Sequence, residues 1–174
     1  CITCHLAIDR KGFEDAPQPF RTHPNLDLFL GSNSKHPLEK IGCTVCHGGG
    51  GHSLTFVHAA HTPQNEEQAK EWQKKYHWHE LHKWEAKMLP LQHTQASCTK
   101  CHQGVMEIPK ASRLNEGRRL AQKYGCFGCH TVKGLSFNVA GGENAWKVGP
   151  DLRPIQSKVT REWIVRWLQN PKAF

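Results

Sequence analysis

Apolar residues are unevenly spread along this chain, and three segments carry a helical period. Residues 1 to about 62 hold one short apolar patch, Leu26 to Leu30. They are punctuated by Pro17, Pro19, Pro24 and Pro37 and by an uninterrupted run from Gly48 to Gly51, a pattern that predicts loop. Thr62-Pro63-Gln64-Asn65 then opens a helix predicted to reach about Lys87, with Glu66 and Glu67 in the first turn, where negative charge is favoured. Trp72 and Tyr76 lie on one stripe of it and Trp78, Leu81 and His82 on another, so it offers apolar surface on two sides before Pro90 ends it. From Ser112 a second helix is expected, with Leu114, Gly117, Ala121 and Tyr124 at helical spacing. A third follows Thr160, a suitable N-cap. It presents Trp163, Ile164, Trp167 and Leu168 and stops at Asn170-Pro171. No run approaches the ~18 apolar residues of a membrane span.

These stripes are thin for a chain of 174 residues, which is 37% hydrophobic with a mean hydropathy of -0.64. Side chains alone supply too little apolar area for a conventional core, and the cysteines indicate what makes up the deficit. All eight fall in four copies of one pattern: Cys1-Ile2-Thr3-Cys4-His5, Cys43-Thr44-Val45-Cys46-His47, Cys98-Thr99-Lys100-Cys101-His102 and Cys126-Phe127-Gly128-Cys129-His130. Cys-x-x-Cys-His is the attachment signature of c-type haem. Two thiols add across the two vinyl groups of one porphyrin, and the adjacent imidazole becomes the proximal iron ligand. Tetrahedral zinc sites also use Cys-x-x-Cys pairs, but they leave unexplained a histidine directly after every pair. Four covalently bound haem c groups are therefore expected, on Cys1, Cys4, Cys43, Cys46, Cys98, Cys101, Cys126 and Cys129, with His5, His47, His102 and His130 as proximal ligands. Porphyrin faces then provide buried apolar area, at roughly 25 cal/mol per Å². In that setting the glycine run after His47 has two readings: close approach of a second haem or a partner to bare backbone, or a flexible loop.

The haems also change how the charge is read. A formal net charge of +8 would ordinarily suggest nucleic acid or an anionic membrane. Each haem brings two propionates, which offset the excess of Lys and Arg and pair well with them. Nothing else in the chain supports nucleic-acid binding, and no nucleic-acid partner is expected.

Two family resemblances follow from these motifs. Residues from about 112 to 174 resemble class I monohaem cytochrome c in the Gly117-containing helix, the Cys126 to His130 motif, Gly149-Pro150-Asp151-Leu152, and Glu162-Trp163, Trp167-Leu168, Asn170-Pro171 and Phe174. The resemblance implies that Pro150 helps orient the proximal imidazole of His130. It also implies a distal methionine a few residues past the Asn170-to-Phe174 stretch, a position this chain does not contain; Met88 and Met106 do not match it. Residues 1 to about 110 are similar to multihaem cytochromes found beside such a domain in bacterial respiratory chains. That likeness rests on His36-Pro37, Gly42 to Gly49, His61-Thr62-Pro63, Trp84, Met88-Leu89-Pro90 and Ser97-Cys98. The implied architecture is mainly α with much irregular loop: a trihaem region over 1–110 and a class I cytochrome c-like helical domain over 111–174, apparently cut short at its C-terminus. Both ends of the chain read as cut. Covalent haem attachment in these families implies a periplasmic location or the extracellular face of the cytoplasmic membrane.

Nine of the thirteen histidines lie outside the motifs, and imidazole is a strong sixth ligand that gives a low-spin iron. His23 and His36 each precede a proline on an extended segment, a rigid presentation suited to a ligand. His61 stands just ahead of the long helix, with His58 as its rival. His82 shares a stripe with Trp78 and Leu81. His23, His36, His61 and His82 are thus the candidate distal ligands. His77 and His79 read as solvated and His52 as too mobile, while His93 is placed to line the Cys98 haem. Met88 is a thioether candidate whose alternative is core packing. The function expected is electron transfer without catalysis: single electrons relayed between a redox donor and acceptor in a bacterial respiratory or related chain. Other subunits of a membrane-associated complex are the expected partners. The alternative is a multihaem reductase of a small nitrogen or sulfur substrate at an open iron, which the surplus of histidines disfavours.

Overall fold

The computed structural model describes residues 1–81, 87–132 and 148–174. Among them every regular element is a helix or a 3₁₀ turn, and the rest is turn and irregular backbone, so the chain is mainly α with much loop. It divides into two compact units, Cys1–Ser97 and Cys98–Phe174. The third Cys-x-x-Cys-His motif lies in the second unit.

In the first unit, the opening loops are held by specific backbone ties. The buried Thr22 hydroxyl donates to the Arg10 carbonyl (2.7 Å) and accepts from the Phe13 amide (3.0 Å), and the His23 amide donates to Ile8 (3.1 Å). A 3₁₀ turn at Leu26–Leu28 and two single-turn helices, α1 (Leu38–Ile41) and α2 (Thr44–His47), follow. The glycine run receives the chain's own backbone. A Cβ on Gly48, at φ +73°, would lie 2.7 Å from the Lys87 carbonyl oxygen, and one on Gly49, at φ +86°, 2.6 Å from that of Ala59. The Leu89 amide donates to His47 (2.8 Å) and the Met88 amide to Ala60 (2.9 Å). Segment 87–89 is thereby laid along the second motif, with Met88 half-buried against Gly49.

Helix α3 (Glu66–Tyr76) starts where the pattern placed it, with the Asn65 side chain accepting from the Gln68 amide at 2.9 Å. It stops at Tyr76, short of the expected Lys87. His77 takes the left-handed conformation (φ +53°) that commonly ends a helix, and the His77 and Trp78 amides both turn back to the Trp72 carbonyl. The Trp78 indole N–H then donates to the His61 carbonyl (2.8 Å), so Trp78 belongs to a returning loop and not to the helix. His82 and Trp84 lie outside the described residues.

A 3₁₀ run, Leu91–Lys100, leads into the second unit, where α4 (Ser112–Lys123) packs against the short α5 (Cys126–Cys129). The buried face of α4 carries Asn115 and Arg118, with Ala111 just ahead of it. Leu120 and Tyr124, by contrast, are exposed. Asn115 clamps Ile108 at both ends, accepting from its amide (3.0 Å) and donating to its carbonyl (2.9 Å). Helix α6 (Arg161–Gln169) is capped by the Thr160 hydroxyl, which accepts from the Trp163 amide at 3.2 Å. Trp163 packs on Trp167 and Phe174, with ring centres 6.4 and 5.3 Å apart.

Among the described residues the buried apolar side chains are Ala7, Val57, Ala60, Ile108, Ala111 and Phe127. Three of the six are alanines, so this core contributes little stability by area.

Candidate haem-binding histidine pairs

Each Cys-x-x-Cys-His motif closes the same turn. The histidine amide donates to the carbonyl of the first cysteine in all four copies: His5 to Cys1 (2.9 Å), His47 to Cys43 (3.0 Å), His102 to Cys98 (2.9 Å) and His130 to Cys126 (3.0 Å). This i to i+4 bond is one turn of α-helix, and residues at i, i+3 and i+4 of such a turn share a face. Both thiols and the imidazole of each motif therefore stand on one side of the backbone. All eight cysteines are free thiols, none joined in a disulfide.

Two motif histidines each face a histidine from elsewhere in the first unit. The rings of His5 and His61 have centres 6.3 Å apart with planes at 32°, and those of His23 and His47 are 6.1 Å apart with planes at 86°. Imidazole nitrogens bind such metals at about 2 Å. Adding roughly 1.1 Å from nitrogen to ring centre on each side, two axial imidazoles on one iron have centres about 6.2 Å apart. Both pairs match that separation. The charges of both His23 and His5 act on His47, so the two pairs are neighbours.

Burial is the leading cause holding all four imidazoles below their ordinary pKa of 6.5. It is reinforced at His5 by His61 and at His47 by His23 and then His5. At His5, Gln18 and the Pro19 backbone act weakly in the opposite direction. The neutral form so favoured is the one that ligates metal. The His61 Nδ1–H donates to the Phe56 carbonyl (2.8 Å), which leaves Nε2 as the nitrogen with a free lone pair. The Phe56 ring stacks on that imidazole at 4.1 Å with planes 2° apart, and it is held by Tyr76 (4.3 Å) and Trp72 (5.0 Å) from α3. Helix α3 thus fixes the His61 ring through Phe56. At His23 the contact runs the other way: the Asn25 amide donates to Nδ1 at 3.0 Å. A His23 that ligates through Nε2 carries its proton on Nδ1, so it gives up this contact or turns its ring.

In the second unit the His130 Nδ1–H donates to the Pro150 carbonyl at 2.8 Å, and the Gly149 amide donates to Cys129 at 2.8 Å. A Cβ on Gly149 would lie 2.7 Å from the His130 ring and 2.8 Å from the Cys129 carbonyl. Gly149→Ala is therefore expected to destabilise the protein by about 1–3 kcal/mol through overcrowding. A lowered denaturant midpoint would register this, with Gly128→Ala, where a Cβ meets nothing within 4 Å, as the neutral control.

The remaining candidates divide by exposure. His36 is half-buried, with its amide bonded to the Ser34 hydroxyl at 3.0 Å. His58 is exposed and bonds Thr55 (2.8 Å). His52, His77 and His79 are exposed. Among the described residues no three His, Cys, Asp or Glu side chains converge as an all-protein metal site. Haem iron takes only its axial ligands from protein, the number that each ring pair offers. Phe56 and Arg118 were not legible as functional from the sequence.

In comparisons with known proteins, no family model, curated protein or solved structure matches the chain. The candidate site therefore stands on its own geometry.

Proposed function

We propose that the chain is a tetrahaem c-type cytochrome that relays single electrons between a redox donor and an acceptor outside the cytoplasm, as part of a larger membrane-associated assembly. The observation that carries this reading is the facing of His5 by His61 and of His47 by His23 at the separation of two axial imidazoles on one iron. Covalently bound haem supplies the one-electron chemistry when present; protein supplies spacing, ligands and a dry surround. An iron with both axial positions filled changes little on gaining an electron and offers no open place for a substrate, so the pairs favour a relay over a reductase. Their adjacency suits passage from one to the other. The class I-like unit, with Pro150 holding His130, is placed at the higher-potential end, which gives electrons a direction from the N-terminal haems toward the C-terminal one.

A pyridine haemochrome assay on the purified protein is expected to return four haems c per chain. Potentiometric titration should then show four one-electron steps, the highest belonging to the His130 haem. Colourless protein, or a His130 haem with the lowest midpoint, contradicts the proposal.

A further inference from the structure

Arg118 is the most deeply buried large side chain among the described residues, at 1% exposure. From α4 its guanidinium reaches the third motif, donating through Nη2 to the His102 carbonyl (3.1 Å) and through Nη1 to the Val105 carbonyl. Its Nε–H is buried with no acceptor. Among the described residues no carboxylate lies within ion-pair distance of it. The acidic groups nearest in sequence, Glu107 and Glu116, pair with Arg119 on the exposed side of the helix. Burial pushes the Cys98 thiol up, and the guanidinium charge acts against this by favouring the thiolate.

Arginine cannot shed its proton in a protein, and a buried cation without an anion costs several kcal/mol. Two carbonyls offset part of that cost and leave the Nε–H idle. A purely mechanical clamp is redundant here, because Asn115 already ties Ile108 to α4 at both ends. The anion that arrives at Cys98–His102 is carried by the prosthetic group itself. We infer that Arg118 is the counter-charge for a propionate of the haem attached at Cys98 and Cys101, and that it raises that haem's reduction potential. This rests on the tetrahaem reading above. A fixed positive charge beside the porphyrin disfavours the ferric state, which carries one more positive charge than the ferrous. Arg118 acts through the haem edge and is a positioning and tuning residue.

The test is potentiometric titration of the holoprotein with Arg118→Gln and Arg118→Lys, each first checked for four haems by pyridine haemochrome. Arg118→Gln is expected to lower one of the four midpoints by about tenfold in the ferric-to-ferrous ratio, equivalent to ~59 mV for a one-electron couple. Arg118→Lys, which keeps the charge, should hold that midpoint within about threefold of wild type. Four unchanged midpoints in Arg118→Gln overturn the inference while leaving the tetrahaem reading intact. A wild-type protein without haem fails the reading itself. Should Arg118→Gln not mature, redox-difference infrared spectra of protein with ¹³C-labelled propionates decide. A propionate band that moves between wild type and Arg118→Lys supports the pairing, and identical bands overturn it.

Discussion

Produced without haem attachment, as with all eight cysteines replaced by alanine, the chain will show no cooperative unfolding transition and little amide protection. Among the described residues the buried apolar side chains are three alanines with Val57, Ile108 and Phe127. At roughly 25 cal/mol per Å² such a core falls far short of the conformational entropy of ordering the chain. Meanwhile Ile2, Leu6, Leu54, Leu91, Val148 and Leu168 stand more than half exposed. The expected loss is the whole stability of a domain, on the order of 5–15 kcal/mol, because cofactor binding and folding are linked. Circular dichroism melting and hydrogen exchange of the two forms would measure it. A sharp melt of the haem-free chain near that of the loaded one would be incompatible with porphyrin as the core.

His61→Ala will convert one haem from low-spin to high-spin and open it to carbon monoxide in the ferrous state. Its midpoint should rise by on the order of 0.1 V, within the range that axial ligands govern, since imidazole donation favours the ferric iron. His23→Ala will do the same to a different haem. His58→Ala is the internal control, because that exposed ring bonds Thr55 and, among the described residues, faces no motif histidine. Optical spectra with and without carbon monoxide would show the change. Two variants that stay fully low-spin, or a His58→Ala that does not, would remove the assignment of His61 and His23 as ligands. Phe56→Ala should give a milder version of His61→Ala, since Phe56 both stacks on the ring and lends its carbonyl to Nδ1.

What the sequence made legible was whatever depends on a few neighbouring residues. The four motifs share one turn because the spacing of their cysteines and histidine is already helical. Thr160 and Asn170 bound α6 because a hydroxyl cap and an Asn-Pro stop act locally. The tie between Pro150 and His130 was expected from the class I resemblance, and the structure contains it. Legibility ended where contacts cross the chain. Trp78 continues the apolar rhythm of α3, yet its indole reaches back seventeen residues to His61, so periodicity overran the helix end. The α4 stripe misled in the opposite sense. Its buried positions are Asn115 and Arg118, polar residues that satisfy backbone groups of the 102–108 loop. The glycine run read either as room for a haem or partner or as a flexible loop, and the groups against Gly48 and Gly49 are the chain's own Lys87, Met88 and Ala59. Which histidine outside the motifs faces which motif follows only from such long-range ties, such as Thr22 to Arg10 drawing His23 inward.

Low-temperature electron paramagnetic resonance of the fully oxidised protein tests the histidine pairs most directly. As axial pairs on iron, His23 and His47, with planes at 86°, would leave two iron d orbitals nearly degenerate, while His5 and His61, with planes at 32°, would split them. The account predicts one strongly anisotropic low-spin signal that disappears in His23→Ala and one rhombic low-spin signal that disappears in His61→Ala. A spectrum dominated by high-spin iron, or low-spin signals untouched by either substitution, would contradict it.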